Sequence, residues 1–314
     1  MTASLQDKIA GGLLGLLVGD ALGVPYEFHS PTDIPPLPDI EFEPPGNFHR
    51  SHNSVPPGTW SDDGAQALVL LASLNYCGEL DLGDFGRRLI NWYDNGYLAV
   101  DNHVFDVGVQ TSCALQRLAD GAPPDESGLA DETANGNGSL MRVLPLALWH
   151  QGTDEQLVHD AHQQSLVTHG HMRSQVCCAL YCLWARFTLA SASDSWNEAV
   201  SRLREIYGSG SAAREELEGS IRPDDNVAVQ GSGYVVDCLR SARWAQAAGD
   251  YEQVVKAAIS LGRDTDTTAC VAGGIAGVRD GVAAIPERWR AKLRGADLYE
   301  SELAKLIERV LKQK

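Results

Sequence analysis

Asp264-Thr265-Asp266-Thr267-Thr268-Ala269-Cys270-Val271-Ala272-Gly273-Gly274-Ile275-Ala276-Gly277 decides how the rest of the chain reads. It opens on carboxylates and hydroxyls and continues as an apolar run in which small residues replace bulky ones. Apolar positions recur three and four apart over residues 266–279, the period of a helix. Glycine and alanine bury little, and glycine lowers helix propensity, but together they let a second backbone come close, which suits a central helix. Ala10-Gly11-Gly12, near the other end of the chain, has the same character.

The same spacing recurs over 5–22, 64–77, 83–93, 105–119, 139–150, 154–167, 171–190, 195–207, 231–248, 251–261 and 297–312, and no run alternates with period two. The expectation is an all-α fold: a dozen or more helices packed by ridges into grooves in a single compact domain over residues 1–314, with no marked internal boundary. Two irregular stretches interrupt it. Residues 29–60 hold eight of the 14 prolines and must run as an extended, ordered loop. Residues 208–230 mix Gly, Ser, Asp and Pro around a charged stretch, Arg214 to Glu218, that suits one short helix. Long loops in compact domains are often functional, and both are expected to lie over the site.

Composition narrows the function. A formal charge of −17, with 25 scattered Lys and Arg, argues against a nucleic-acid partner, since phosphate neutralisation needs clustered cations. The apolar segment from Ala10 to Val18 runs straight into Asp20 without a signal-peptide pattern, and no membrane partner is expected. Seven cysteines without CxxC spacing fit a reducing, cytoplasmic setting, with Cys177, Cys178 and Cys182 as buried thiols on a helix. Nothing in the composition asks for an oligomer, and a monomer is favoured.

Two acidic clusters carry the chemistry. Ser61-Asp62-Asp63 and Asp264-Thr265-Asp266-Thr267 each open an apolar helical run. The plain explanation for either is helix capping and dipole compensation. As a pair they offer hard oxygen donors suited to Mg²⁺ or Mn²⁺, and if the two helix starts converge they would hold two ions. Zinc would ask for His and Cys. Glu27, just past Gly23 and Pro25, is a candidate acid, base or gate. Asp20 is better explained as fixing hydrogen bonds at a helix end. Asp106 lies between Phe105 and Val107 at an expected helix start, where partial desolvation would tune it for proton transfer. Asn137, Gly138 and Ser139 belong to a glycine-rich turn able to aim N–H groups at a phosphate. His169 and His171 suit contact with a phosphate or ribose better than a metal. Tyr234 is placed either to stack on a base or to pack in the core.

Taken in order, Gly19-Asp20-Ala21-Leu22-Gly23 with Pro25 and Glu27, Thr59-Trp60-Ser61-Asp62-Asp63, Phe105-Asp106-Val107-Gly108, Asn137-Gly138-Ser139-Leu140-Met141-Arg142 and Gly262-Arg263-Asp264-Thr265-Asp266-Thr267 resemble the ADP-ribosylglycohydrolase family over nearly the whole chain. The resemblance implies an all-α enzyme with two Mg²⁺ (or Mn²⁺) ions that removes ADP-ribose from a modified protein. It makes Ser61, Asp62, Asp63, Asp264, Asp266 and Thr267 the metal ligands. Ser61 stands where the family often has Thr, and both offer a hydroxyl. It further implies catalytic roles for Asp106, Glu27 and Asp63, a pyrophosphate held by Gly138 and Ser139, His169 or His171 nearby, and Tyr234 against adenine. Phe105-Asp106-Val107-Gly108 follows the dinitrogenase-reductase-activating branch, which points to arginine as the acceptor. Serine-linked or O-acetyl-ADP-ribose, and a non-catalytic ADP-ribose binder, are the alternatives. An isoprenoid synthase, which also pairs Asp-rich motifs, is disfavoured because Ser61-Asp62-Asp63-Gly64-Ala65 lacks a second acid one turn on.

Overall fold

A computed structural model describes residues 3–312. Fourteen α-helices follow one another: α1 (Leu5–Gly23), α2 (Asp62–Cys77), α3 (Leu82–Asn95), α4 (Val109–Ala119), α5 (Leu144–Trp149), α6 (Asp154–Leu166), α7 (Met172–Leu189), α8 (Ser195–Tyr207), α9 (Ala212–Glu216), α10 (Val235–Ala245), α11 (Tyr251–Ser260), α12 (Thr265–Asp280), α13 (Glu287–Arg290) and α14 (Ala296–Lys312). Among the described residues the only β pairing is two isolated bridges, Leu129 with His169 and Gly136 with Tyr234. The expected all-α architecture is what the chain adopts, around one continuous apolar core.

Local signals set the helix ends. Ser4 and Asp7 form a capping box on α1, and Thr153 with Gln156 and Asp250 with Gln253 do the same for α6 and α11. Gly78 (φ 76°) and Gly96 (φ 71°) stop α2 and α3 in the left-handed conformation that glycine adopts at least cost.

The pair α1 and α12 forms the centre. A Cβ on Gly11 would sit 2.2 Å from the Gly277 carbonyl oxygen, on Gly15 2.5 Å from that of Gly273, on Gly19 2.2 Å from that of Ala269, and on Gly23 2.4 Å from the Asp266 Cα. Numbers rise along α1 as they fall along α12, so the helices are antiparallel, and glycine at every fourth position keeps them in backbone contact. The C-terminal end of α1 is therefore pressed against the N-terminal end of α12. Helix α1 is apolar and long enough to cross a membrane, yet 89% of its most apolar window is buried inside the protein.

A further joint brings in α2. The Asp20 carboxylate accepts the backbone N–H groups of Ser61 (2.9 Å) and Gly64 (2.7 Å), capping α2 from outside its own segment. Asp20 thus fixes a helix end as expected, but the end belongs to another helix. Through Gly23 and Asp20, three helix termini that carry acidic residues meet.

Several boundaries differ from expectation. The helix expected from 105 begins at Val109, because Asp106 has φ 61° and 103–108 is not helical. The run 139–150 is helical only over Leu144–Trp149, since the glycine-rich turn continues to Arg142. The short helix expected at Arg214 to Glu218 is α9 followed by a π-turn over Leu217–Ile221. Helix α13, opened by Pro286, had no periodic signal in so short a segment.

Candidate active site

The joined helix ends wall a cleft of about 320 Å³, lined by Glu27, Asp62, Asp63, Asp106, Gln110, Thr111, Asn137, Gly138, His169, Gly233, Asp264 and Thr267, among others. The two acidic clusters, far apart in sequence, share it. Thr267 Oγ1 donates to Asp63 Oδ1 at 3.4 Å and links α12 to α2 directly. Ser61 and Asp266 are buried just behind this lining. The Ser61 hydroxyl accepts the Asp63 N–H (3.3 Å), and one Asp266 oxygen accepts the Thr267 N–H (2.9 Å).

Asp63 Oδ2, Asp264 Oδ1 and Asp266 Oδ2 are buried without any hydrogen-bond partner. A buried carboxylate oxygen left unpaired is costly, and a cation removes that cost. Burial, and after it the neighbouring acids, hold the carboxyls of Asp62, Asp63 and Asp266 well above the usual range. Three orphaned oxygens among carboxylates and hydroxyls are a donor set that fits hard divalent cations.

Other bonds position this set. Asn137 Nδ2 donates to Asp264 Oδ2 at 2.9 Å, tying the glycine-rich turn to α12. Gln66 Nε2 donates to Asp62 Oδ2 (2.9 Å), and Arg142 Nη1 donates to Gln66 Oε1 (2.9 Å). The fully buried Arg142 also grips Gln164, whose amide reaches the Ser139 carbonyl. Burial lowers the guanidinium to about 10. One buried cation therefore braces the Asp62 side and the turn together.

At the mouth, His52 Nε2 is 2.7 Å from Glu27 Oε2 and 3.9 Å from Asp106 Oδ1. These residues bring one ligand atom each within 4.8 Å of one another, a group that can also hold a cation. Burial, then the charges of Asp106 and Asp264, push the Glu27 carboxyl up to about 11. Asp106 rises to about 7, by burial and then by Asp264.

The expected phosphate and nucleoside contacts divide. Gly138 lies in the cleft, where a Cβ would meet His169 Cε1 at 2.8 Å, and the N–H groups of Gly138 and Ser139 donate to nothing among the described residues. The Ser139 hydroxyl, in contrast, faces the core, accepting from Ser165 at 2.9 Å beside Cys178. His169 lines the cleft, and burial lowers it to about 3, so the ring is neutral. His171 lies outside the lining and caps α7 by accepting the Arg173 N–H (3.1 Å). Tyr234 opens α10 with its ring exposed, and only its neighbour Gly233 lines the cleft. Loop 29–60 brings Ser51 and His52 onto Glu27. Asp224 to Asn226, Val227 and Val229 of the other loop line a different cleft with Arg240 and Trp244. His52 and Gln66 are not among the residues expected from sequence. His52 stands in a proline-rich loop with no motif, and Gln66 has nothing around it to set it apart from any other helical glutamine.

Fold and site together define an all-α protein whose helix ends gather carboxylates into a cation-suited cleft beside a glycine-rich turn. The chain belongs to the ADP-ribosylglycohydrolase family, whose sequence model matches residues 1–314, and this places it among hydrolases of ADP-ribosyl bonds. It is similar to the ADP-ribosylarginine hydrolase Tri1 of Serratia proteamaculans (30% identical, covering 91% of this chain and 75% of that one). It is also similar to the ADP-ribosyl-[dinitrogen reductase] glycohydrolase of Rhodospirillum rubrum (27% identical, 92% and 91%). Among solved structures it resembles an ADP-ribosylglycohydrolase-related protein complex, with TM-score 0.78 and 30% identity over 99% of each chain.

Proposed function

We propose that this protein hydrolyses the N-glycosidic bond between ADP-ribose and a modified arginine side chain, using two divalent cations, Mg²⁺ or Mn²⁺. The observation that carries the reading is the meeting of α2 and α12, which leaves three buried carboxylate oxygens unpartnered, those of Asp63 and Asp264 in the lining of the cleft and that of Asp266 behind it. The arginine linkage draws its support from relatives whose names specify it. Ser61, Asp62, Asp63, Asp264, Asp266 and Thr267 would hold the ions. When bound, the ions would neutralise the carboxylates, favour ribose hydroxyls as ligands and acidify a water.

The chain's own residues do the rest. Gly138 and Ser139 present free N–H groups to the pyrophosphate, and neutral His169 packs behind the turn without adding charge. Asp63 Oδ2, free of protein partners, takes a proton from the attacking water. Asp106, whose carboxyl burial raises above the usual range and which lines the cleft beside Asp264, gives a proton to the departing guanidine nitrogen or the ring oxygen. Glu27, held by His52, supports that proton transfer or gates the mouth. Tyr234, next to the cleft-lining Gly233, and His171, two residues from His169, are assigned to the adenosine end. A cytoplasmic setting and a monomer remain part of the proposal.

The test is release of free ADP-ribose from arginine-linked and serine-linked peptides, with Mg²⁺ or Mn²⁺ and with EDTA. Metal-dependent release from the arginine-linked peptide is expected. Release from neither under both metals overturns the enzyme reading, and release from the serine-linked peptide alone moves the acceptor to a hydroxyl.

A further inference from the structure

Beside Glu27 and Asp106, which line the cleft, runs a belt of aromatic rings whose phenyl members take no part in the cation site or the phosphate turn. Phe28 follows Glu27 and is 70% exposed. Its ring centroid lies 5.7 Å from that of His52, which lies 5.1 Å from that of Phe105, which stacks on His103 at 5.6 Å and 30°. Phe105 precedes Asp106. Each carboxyl residue at the mouth therefore has a phenyl neighbour in sequence, and the two rings are joined through His52.

The outward placement of Phe28 is imposed by its surroundings. A phenyl ring in water forgoes its apolar stabilisation. Its φ of 64° lies in the left-handed region that bulky side chains avoid, and His52 (48°), Asp106 (61°) and Arg263 (63°) share that region. Two backbone bonds hold the turn, the Phe28 N–H to the Arg263 carbonyl (2.6 Å) and the Arg263 N–H to the His29 carbonyl (2.7 Å). Asp264 links the turn to the mouth: Asn137 of the phosphate turn donates to it, and it lines the same cleft as Asp106 and Glu27. With the nucleotide on the turn side, the belt is where the acceptor leaves. Aromatic faces beside carboxyl oxygens match a planar cation, whose face meets a ring while its edge meets the oxygens. A serine hydroxyl offers neither plane nor charge.

We propose that Phe28 and Phe105, joined by His52, form an acceptor subsite that selects a guanidinium group. The inference rests on the arginine reading and adds the residues that read the acceptor. Because Phe28 is exposed, Phe28→Ala is compatible with the fold. With ADP-ribosylarginine as substrate, Phe28→Ala raises KM by roughly three- to thirtyfold, the range of a lost cation–π contact, and Phe28→Trp restores it. Product inhibition by ADP-ribose, bound at the other end, stays unchanged, and inhibition by agmatine weakens in parallel with the KM effect. An unchanged KM and unchanged agmatine inhibition in Phe28→Ala, or an equal loss of ADP-ribose inhibition, overturns the subsite. If the wild-type protein acts only on hydroxyl-linked substrate, the arginine reading fails by itself. Agmatine inhibition of that reaction, and its response to Phe28→Ala, then still decides the subsite.

Discussion

Asp20 shows how much one side chain can organise. It lies in an apolar helix, fully buried, and burial pushes its carboxyl up to about 7 in spite of two backbone bonds that favour the anion. Those bonds set the start of α2 and so the direction of Asp62 and Asp63. Asn at this position keeps one acceptor and turns an amide N–H toward a backbone N–H. Asp20→Asn is expected to cost about 1–3 kcal/mol in urea unfolding, the penalty for an unsatisfied buried group, and to weaken Mn²⁺ binding in calorimetry. Asp106 is the contrasting case, a side chain at the cleft surface with little structural duty. Asp106→Asn should lower turnover by roughly a hundredfold or more while ADP-ribose still binds, as for the loss of a general acid, and normal turnover would refute its role. Both aspartates stand out in sequence as acids among apolar residues. His52 does not, because its partners are separated from it by loop of no regular period.

Helices were the most legible feature. Spacing by three and four marked the long elements because each must bury one face, and it failed where a turn resembled a helix start, as at Phe105 and at the glycine-rich turn. The density of small residues in α1 and α12 pointed to central helices, yet it did not name them as each other's partner. The register between them is exacting: the Cβ of Ala at 19 would lie 2.2 Å from the Ala269 carbonyl oxygen, whereas one at Gly46 would meet nothing within 4 Å. Gly19→Ala should therefore destabilise by about 1–3 kcal/mol or more, as overpacking does, while Gly46→Ala stays near wild type. Chemical denaturation of the two variants checks this. Gly19→Ala should also reduce activity beyond its effect on stability, since separating α1 from α12 separates the carboxylates.

For the molecule as a whole, the acidic cleft couples stability, pH and metal. Without cations, Glu27, Asp20 and Asp106 have raised pKa values, about 11 for the first and about 7 for the others. The folded chain then keeps protons that the unfolded chain releases above about pH 4. This stabilisation is complete below the unfolded pKa and is lost as pH rises through the folded values. His162 and His169, lowered to about 4 and about 3, act oppositely, but only below about pH 6.5, where the unfolded chain protonates them. From about pH 6.5 upward the carboxyls decide, and the metal-free protein should melt at a lower temperature as pH rises. Saturating Mn²⁺ should raise the melting temperature most at the high end, because the ligands no longer have to release protons. Calorimetry with and without Mn²⁺ measures both slopes. A flat metal-free profile would mean that the cluster is not the source of the coupling.

By itself, the sequence determined the all-α class, the family and the acidic clusters, because helical period and local motifs are written within short windows. Only the tertiary structure decided that Asp20 caps α2, that Arg142 braces Asp62 through Gln66, that the Ser139 hydroxyl faces the core, and that His52 joins Glu27 to Asp106 beneath an exposed Phe28. Those are contacts between segments far apart in the chain. Like the register of α1 against α12, they are a matter of steric fit between surfaces rather than of any pattern within one segment.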